Sequence, residues 1–137
     1  NNDSLNKLYT TSFYRLVKLN LVKGGVMVTQ SNSPYFTKNA FWCIYKTVGQ
    51  EFEYVIPYHV NVPSFGEWGF NLATDLRIDA DSLRLPPDVD YRYLNESNFS
   101  SLFRFANDER VDLEKVEVNT LFRPVLIGYY EGDVGRM

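Results

Sequence analysis

Hydrophobic residues near the start of the chain recur at intervals of three and four, which is the spacing of one face of an α-helix. These residues are Leu5, Leu8, Tyr9, Phe13, Leu16 and Val17. Asp3 or Ser4 is expected to cap this helix at its N-terminus, and Gly24-Gly25 to end it. The apolar run Val26–Gln30 then predicts a short buried strand.

A second amphipathic helix follows this strand. Ser33 and Pro34 predict its start, because serine caps helices and proline is favoured at the first helical position. Gly49 is expected to end it. Its apolar face comprises Ala40, Phe41, Ile44, Tyr45 and Val48.

Alternating apolar and polar positions from residue 52 to residue 62 predict a long strand. Pro63, Ser64 and Gly66 predict a turn, and residues 68–73 a partner strand that runs antiparallel to the first. The resulting order, α-β-α-β-β, is typical of the C-terminal half of an open α/β sheet. No G-x-G-x-x-G motif lies between a strand and a helix, so the nucleotide-binding half is expected to be absent.

The remainder of the chain is predicted to be a small α/β tail. Residues 75–90 carry five aspartates and Pro86-Pro87, which favours a loop. Asn95 can cap a short helix, and the last apolar segment covers residues 121–130.

Composition narrows the class of protein. The chain has 137 residues, of which 45% are hydrophobic and 23% charged, as in a single soluble domain. A net charge of -3 without a basic block argues against nucleic-acid binding. Cys43 is the only cysteine, which excludes a disulfide framework and a thiolate metal cluster, and favours an intracellular protein. No run of 18 apolar residues is present, and the absence of an initiator Met suggests a fragment.

Few residues suggest chemistry by themselves. His59 is the only histidine, and its predicted place on a strand argues against a catalytic or metal-binding role. Gln30 ends a strand, where open α/β sheets bind ligands, but its amide could equally bond the following turn. Trp68 could wall a pocket for an amine or belong to the core. The aspartates of the acidic loop could attract polyamines or simply be solvated.

Two long segments carry a specific resemblance. NNDSLNKLYTTSFYRLVKLNLVKGGVMVTQSNSPYFTKNAFWCI and YHVNVPSFGEWGFNLAT resemble the C-terminal part of a spermidine synthase-type aminopropyltransferase. RYLNESNFSSLF and VEVNTLFRPVLIGYYE are similar to the tails of bacterial members that have membrane-spanning helices ahead of the catalytic domain.

The resemblance implies a Rossmann-like methyltransferase-type fold, with residues 1–75 as the C-terminal half of the catalytic domain and residues 76–137 as an extension packed on it. It implies transfer of the aminopropyl group of decarboxylated S-adenosylmethionine to putrescine, without a metal. The family's aspartate base would lie in a D-x-x-D-P type loop ahead of Asn1, and Asp3 does not replace it. We therefore expect no catalytic residue and no bound cofactor in this chain, and no activity from the chain alone.

Three substrate-binding positions carry over by resemblance. Gln30 matches the family glutamine that contacts the amine. Phe65 falls where soluble relatives have the tyrosine of a P-T-Y turn, and the missing hydroxyl puts the identity of the amine in doubt. Trp68 matches an aromatic residue at the pocket wall of some bacterial members.

Two other classes of function remain open from the sequence. One is a noncatalytic polyamine-binding or sensing domain, suggested by Phe65. The other is a methyltransferase-type enzyme that uses intact S-adenosylmethionine. The resemblance further implies a parent chain anchored at the cytoplasmic side of the membrane. The exposed edge of a half sheet predicts a homodimer.

Overall fold

The computed structural model describes residues 2–135, with side chains from residue 4 onward. The helices are α1 (Asn2–Asn6), α2 (Thr11–Asn20), α3 (Lys38–Val48), α4 (Glu96–Ser101) and α5 (Leu126–Val134). The strands are β1 (Val26–Gln30), β2 (Tyr54–Val62) and β3 (Gly66–Thr74), and 3₁₀ turns cover Lys7–Tyr9, Ala80–Ser82, Asn107–Glu109 and Leu113–Lys115. Within this part of the chain, none of the helices combines the length and apolar character needed to span a membrane.

The three strands form one sheet in the order β1-β3-β2, with β3 antiparallel to both neighbours. In the β2–β3 hairpin, Tyr54 lies opposite Thr74 and Val62 opposite Gly66. The predicted order α-β-α-β-β and the antiparallel last strand are confirmed. The last strand is inserted in the middle of the sheet, because it pairs with β1 as well as with β2.

Helix α3 covers one face of this sheet and supplies more residues of the core than any other element. The buried cluster contains Tyr14, Ala40, Cys43, Ile44, Val48, Phe52, Ala73, Val116 and Leu126. The helix packs closely against β3 at Gly69, where an added Cβ would clash with the Phe41 ring and lie 2.8 Å from the carbonyl oxygen of Asn32. Only glycine fits this contact without a shift of the backbone.

The first predicted helix is divided into two. Residues Asp3 and Ser4 lie within α1 instead of capping it, and the side chain of Asp3 is outside the described residues. The hydroxyl of Thr10 caps α2 instead, accepting the N–H of Phe13 at 3.2 Å. This second helix ends at Asn20, before the predicted stop at Gly24-Gly25, because Leu21 already has extended backbone.

Strand β1 has the predicted boundaries but is not buried. Val26 and Val28 are about half exposed, at 50% and 51%. Their side chains lie on the sheet face away from α3, whereas Met27 between them packs against the core. The strand is also the edge of the described sheet, so its apolar composition does not reflect burial within residues 2–135.

Helix α3, which corresponds to the second predicted helix, begins later than predicted. Ser33 accepts the N–H groups of Tyr35 and Phe36 in a preceding turn, and α3 begins at Lys38. The side chain of the N-cap residue, Thr37, accepts no hydrogen bond from the first turn of the helix. The carboxylate of Asp133 in α5 supplies an acceptor instead, since it accepts the N–H of Ala40 at 3.0 Å. The N-terminus of α3 is therefore capped from the far end of the chain.

The tail consists of short helices joined by irregular segments, in contrast to the predicted small α/β tail. No strand occurs among residues 76–135. Asn95 caps α4 as predicted, but the apolar segment from residue 121 becomes helix only at Leu126. The reason is the buried Asn119, whose side-chain oxygen accepts the N–H groups of Val125 and Leu126 and so starts α5.

Candidate functional site

Gln30 lies at the C-terminal end of β1, directly opposite Phe70 of β3. Its side chain is exposed. The chain stays beside β3 for two further residues, since Ser31 donates its N–H to Gly69 and Gly69 donates its N–H to Asn32, at 2.8 and 2.6 Å. The end of β1 is thus fixed while the glutamine amide remains free to reach a ligand.

The strand register places Gln30 and Trp68 on the same side of the sheet. Directly opposed residues share a face, and so do residues two apart on one strand. Gln30 opposes Phe70, and Trp68 precedes Phe70 by two. Both predicted residues therefore project from the face opposite α3.

The turn between β2 and β3 presents the third predicted residue. Phe65 is 70% exposed and Trp68 40% exposed, and their rings form an edge-to-face pair with centroids 6.1 Å apart. Ser64 and Gly66 on either side of Phe65 have φ angles of 70° and 85°. The turn holds two large aromatic rings at the surface, where a ligand can contact them.

Two aromatic residues extend this surface and were not predicted as site residues. Tyr58 of β2 lies opposite Phe70, and their rings stack with centroids 5.2 Å apart and an interplanar angle of 17°. Burial raises the pKa of the Tyr58 hydroxyl, which stays protonated and able to donate a hydrogen bond. We call Gln30, Tyr58, Trp68 and Phe70 the aromatic strip. No local sequence signal places the additional pair on the same face as Gln30, because that depends on the register between the strands.

The loop that follows Gln30 is held by a buried polar contact. Asn71 is fully buried and donates its side-chain N–H to the hydroxyl of Ser31 at 2.9 Å. This bond ties the end of β1 to the centre of β3, on the α3 side of the sheet. It positions Gln30 without contacting a ligand itself.

The arrangement suits a flexible amine with apolar spacers. The amide of Gln30 can accept an N–H and donate another hydrogen bond. Aromatic faces attract ammonium groups and pack against methylenes. The acidic loop adds little charge at its start, because Asp75 forms an ion pair with Lys18 at 3.3 Å and accepts the N–H of Glu53.

His59 and Cys43 lie apart from the strip. His59 is on β2, as predicted, and its ring projects from the opposite sheet face, where it contacts Glu67. Cys43 is buried within α3, and burial raises the pKa of its thiol to about 12. The thiol is therefore inert at neutral pH.

Fold and site together define the class of this protein. A three-stranded sheet in the order β1-β3-β2, with an inserted antiparallel strand and with helices before and between the strands, is an arrangement found in methyltransferase-type α/β sheets. Two solved structures share this fold at 17% sequence identity, and each match covers 95% of this chain and 40% of the solved chain. They are spermidine synthase from Thermotoga maritima, with a TM-score of 0.58, and spermidine synthase in complex with the transition-state analogue AdoDATO, with a TM-score of 0.59.

Residues 3–77 match the family model described as the spermine/spermidine synthase domain. The chain belongs to this family. It is 40% identical over 133 residues to the polyamine aminopropyltransferase of Oceanobacillus iheyensis and 45% identical over 132 residues to that of Corynebacterium efficiens. These alignments cover 96% and 93% of the chain but only 26% and 24% of the relatives. The chain thus spans about a quarter of the length of the curated relatives it matches.

Proposed function

We propose that this chain is the C-terminal part of a polyamine aminopropyltransferase, which moves the aminopropyl group of decarboxylated S-adenosylmethionine to putrescine or a similar diamine. Family membership supports the class of enzyme. The observation that carries the site is the register that puts Gln30 and Trp68 on one sheet face at the end of β1. Residues 1–75 would complete the catalytic sheet, and residues 76–137 would support α3.

The proposed reaction is a displacement at carbon. The lone pair of a neutral amine attacks the methylene carbon next to the sulfonium, the C–S bond breaks, and methylthioadenosine leaves. The attacking nitrogen then loses a proton to a carboxylate base, which we place upstream of Asn1. The co-substrate would likewise bind mainly to upstream residues.

The residues of this chain orient the amine. Gln30 would accept an N–H from the reacting nitrogen and so direct its lone pair to the carbon under attack. Trp68 and Phe65 would pack against the methylenes and exclude water. Correct orientation of two bound reactants is the largest contribution available to such a reaction.

The test is a steady-state assay of the full-length protein with a panel of diamines, with products identified by mass. Gln30→Ala should lower kcat/KM for the preferred diamine about 30-fold, which corresponds to the loss of one hydrogen bond to a group that is charged or becomes charged in the transition state. Trp68→Ala should raise KM about tenfold with a smaller change in kcat. Gln50→Ala, at an exposed position after α3, is the matched control and should behave like wild type. Wild-type kinetics in Gln30→Ala would disprove its assigned role.

Phe65 favours a second candidate, a noncatalytic polyamine-binding or sensing protein. Its ring has no hydroxyl with which to bond a substrate. Calorimetric binding of spermidine or putrescine without any product from the full-length protein would establish this function. A product heavier by a methyl group would instead establish a methyltransferase.

Membrane attachment is a further part of the proposal, and it rests on the resemblance of the tail to membrane-anchored bacterial members. The full-length protein should sediment with membranes and require detergent for release, with this domain on the cytoplasmic side. Release by high salt alone would contradict the anchor.

A further inference from the structure

Three ionisable side chains from separate parts of the chain meet on the α3 side of the sheet. They are His59 of β2, Glu67 of β3 and Glu109 at the end of the 3₁₀ turn Asn107–Glu109. The Nδ1 atom of His59 lies 2.6 Å from one carboxylate oxygen of Glu67 and 3.7 Å from Oε2 of Glu109. The three potential ligand atoms are all within 4.8 Å of one another. This cluster lies on the sheet face opposite the aromatic strip.

The contacts of the imidazole fix which ring nitrogen carries the proton. Nε2 of His59 faces the backbone carbonyl oxygen of Arg104, which can only accept a hydrogen bond. Nε2 is therefore protonated and donates to this oxygen. If Nδ1 carries no proton, its lone pair faces two carboxylates, and a cation between them would stabilise this arrangement.

A proton on Nδ1 satisfies only part of the cluster. It would join His59 to Glu67 but leave Glu109 unpaired. The Glu109 side chain is only 8% exposed, and its Oε2 is buried without a hydrogen-bond partner. Its other oxygen is held by the N–H of Ala106 at 2.9 Å, which aims Oε2 at the imidazole.

We propose that His59, Glu67 and Glu109 bind a divalent transition-metal cation, with Zn²⁺ the best match. One imidazole nitrogen and two carboxylate oxygens are common zinc ligands, at about 2.0–2.2 Å from the metal. The separation of 3.7 Å between Nδ1 and Glu109 Oε2 is close to that of two ligands around a tetrahedral ion. Glu67 Oε2, at 2.6 Å from Nδ1, has to move away from the imidazole to make room for an ion between them.

The surroundings of the three ligands match those of known metal sites. A ligating histidine usually donates its other N–H to a backbone carbonyl or carboxylate, and ligating carboxylates are usually hydrogen-bonded themselves. His59 and Glu109 meet both conditions through Arg104 and Ala106. The Glu67 side chain is 29% exposed, so an ion and a water ligand can enter from that side.

The role of such a site is structural. Its distance from the aromatic strip across the sheet gives the metal no access to the amine. It joins the β2–β3 hairpin to the segment 104–109, which also contacts α3 where Trp42 donates its indole N–H to the carbonyl of Glu109. A bound ion would therefore fasten the tail to the hairpin that carries the turn with Phe65.

The test is zinc binding by the full-length protein, purified without a histidine tag and treated with a chelator. Calorimetry should show one more equivalent of Zn²⁺ bound to wild type than to Glu109→Gln, and Glu67→Gln should weaken that equivalent at least tenfold. Co²⁺ should give the visible absorption of a tetrahedral site in wild type and not in Glu109→Gln. Glu114→Gln, at an exposed position in the next 3₁₀ turn, is the matched control and should retain the extra equivalent.

Glu67→Gln keeps the test decisive if Glu109→Gln fails to fold. The side chain of Glu67 is partly exposed and glutamine has the same shape, so this variant should fold. Equal zinc stoichiometry and affinity in wild type and folded Glu67→Gln would overturn the proposal. The same holds if zinc leaves the thermal midpoint of wild type unchanged. A cluster held together by a proton alone would give both of these results.

Discussion

Asn119 is the residue whose side chain makes the most connections in the tail. It is fully buried, its oxygen accepts two N–H groups at the start of α5, and its amide nitrogen donates to the side chain of Asn6 and the carbonyl of Tyr9. This one side chain joins both ends of the chain. No hydrophobic residue of similar size could replace it without leaving buried polar groups unpaired.

We predict that Asn119→Ala lowers the free energy of unfolding by about 3 kcal/mol, because it leaves buried N–H and C=O groups without partners. Urea denaturation followed by circular dichroism measures the change. Asn20→Ala, at the exposed end of α2, is the control and should change stability by less than about 0.5 kcal/mol. Similar losses for the two variants would contradict the role of Asn119.

The buried thiol of Cys43 gives a pH-dependent prediction. Burial raises its pKa from 9.0 to about 12, so at pH 8 the native state should contain about a thousandfold less thiolate than the unfolded state. A thiol reagent should label it rapidly only in denaturant. The unfolded chain loses this proton near pH 9 and the native state keeps it, so the contribution of the thiol to stability falls from about pH 9 to about pH 12. Rapid labelling of native protein at pH 8 would contradict this burial.

At the scale of elements, the contact between α3 and β3 depends on the absence of a side chain at Gly69. We predict that Gly69→Ala lowers the free energy of unfolding by about 2 kcal/mol, since its Cβ overlaps the Phe41 ring. It should also reduce amine binding in the full-length protein, because Trp68 and Phe70 flank the displaced residue. Gly128→Ala on α5, where an added Cβ meets nothing within 4 Å, is the matched control. If Gly69→Ala left the free energy of unfolding unchanged, α3 and β3 would be able to move apart at little cost, and the prediction would be wrong.

The order of the elements and the strand–turn–strand hairpin were predictable, because alternation, glycine and proline are local signals. Gln30 and Trp68 could be proposed as a pair only through the family resemblance. Their common face depends on register, which the alternation on β2 alone does not set. Tyr58 and Phe70 were missed for the same reason.

The metal-site proposal departs from the prediction of no metal. That prediction rested on the family resemblance and on the counts of histidine and cysteine, whereas two of the three proposed ligands are glutamates. His59 and Glu67 are close in the hairpin, but Glu109 reaches them through a tail whose path has no local sequence signal. Likewise, the capping of α3 by Asp133 depends on long-range packing that periodicity does not report.

At the scale of the whole molecule, β1 lies at the edge of the described sheet and has half-exposed Val26 and Val28 on one face. Edge strands with apolar side chains pair readily with other strands. In relatives about four times as long, further chain is available to cover such an edge. The 137-residue chain by itself offers it to a second copy.

We therefore predict that the 137-residue chain self-associates to dimers or swapped oligomers at micromolar concentration, measured by sedimentation velocity. Val28→Lys should shift it to monomer, because a charge on an edge strand opposes pairing. Val89→Lys, at an exposed position in the acidic loop, is the control and should leave association unchanged. A wild-type chain that sediments as a monomer would contradict the prediction.

The cap on α3 joins two residues that the ribosome synthesises at different times. Asp133 follows Ala40 by 93 residues, and ribosomes add about 5–20 residues each second, so the two groups are synthesised roughly 5–20 s apart. Throughout that interval the first turn of α3 lacks the acceptor that the finished molecule gives it. The sheet can pair before then, but the cap on α3 can form only after Asp133 has been synthesised, and a chain interrupted within the tail has a central helix without this cap.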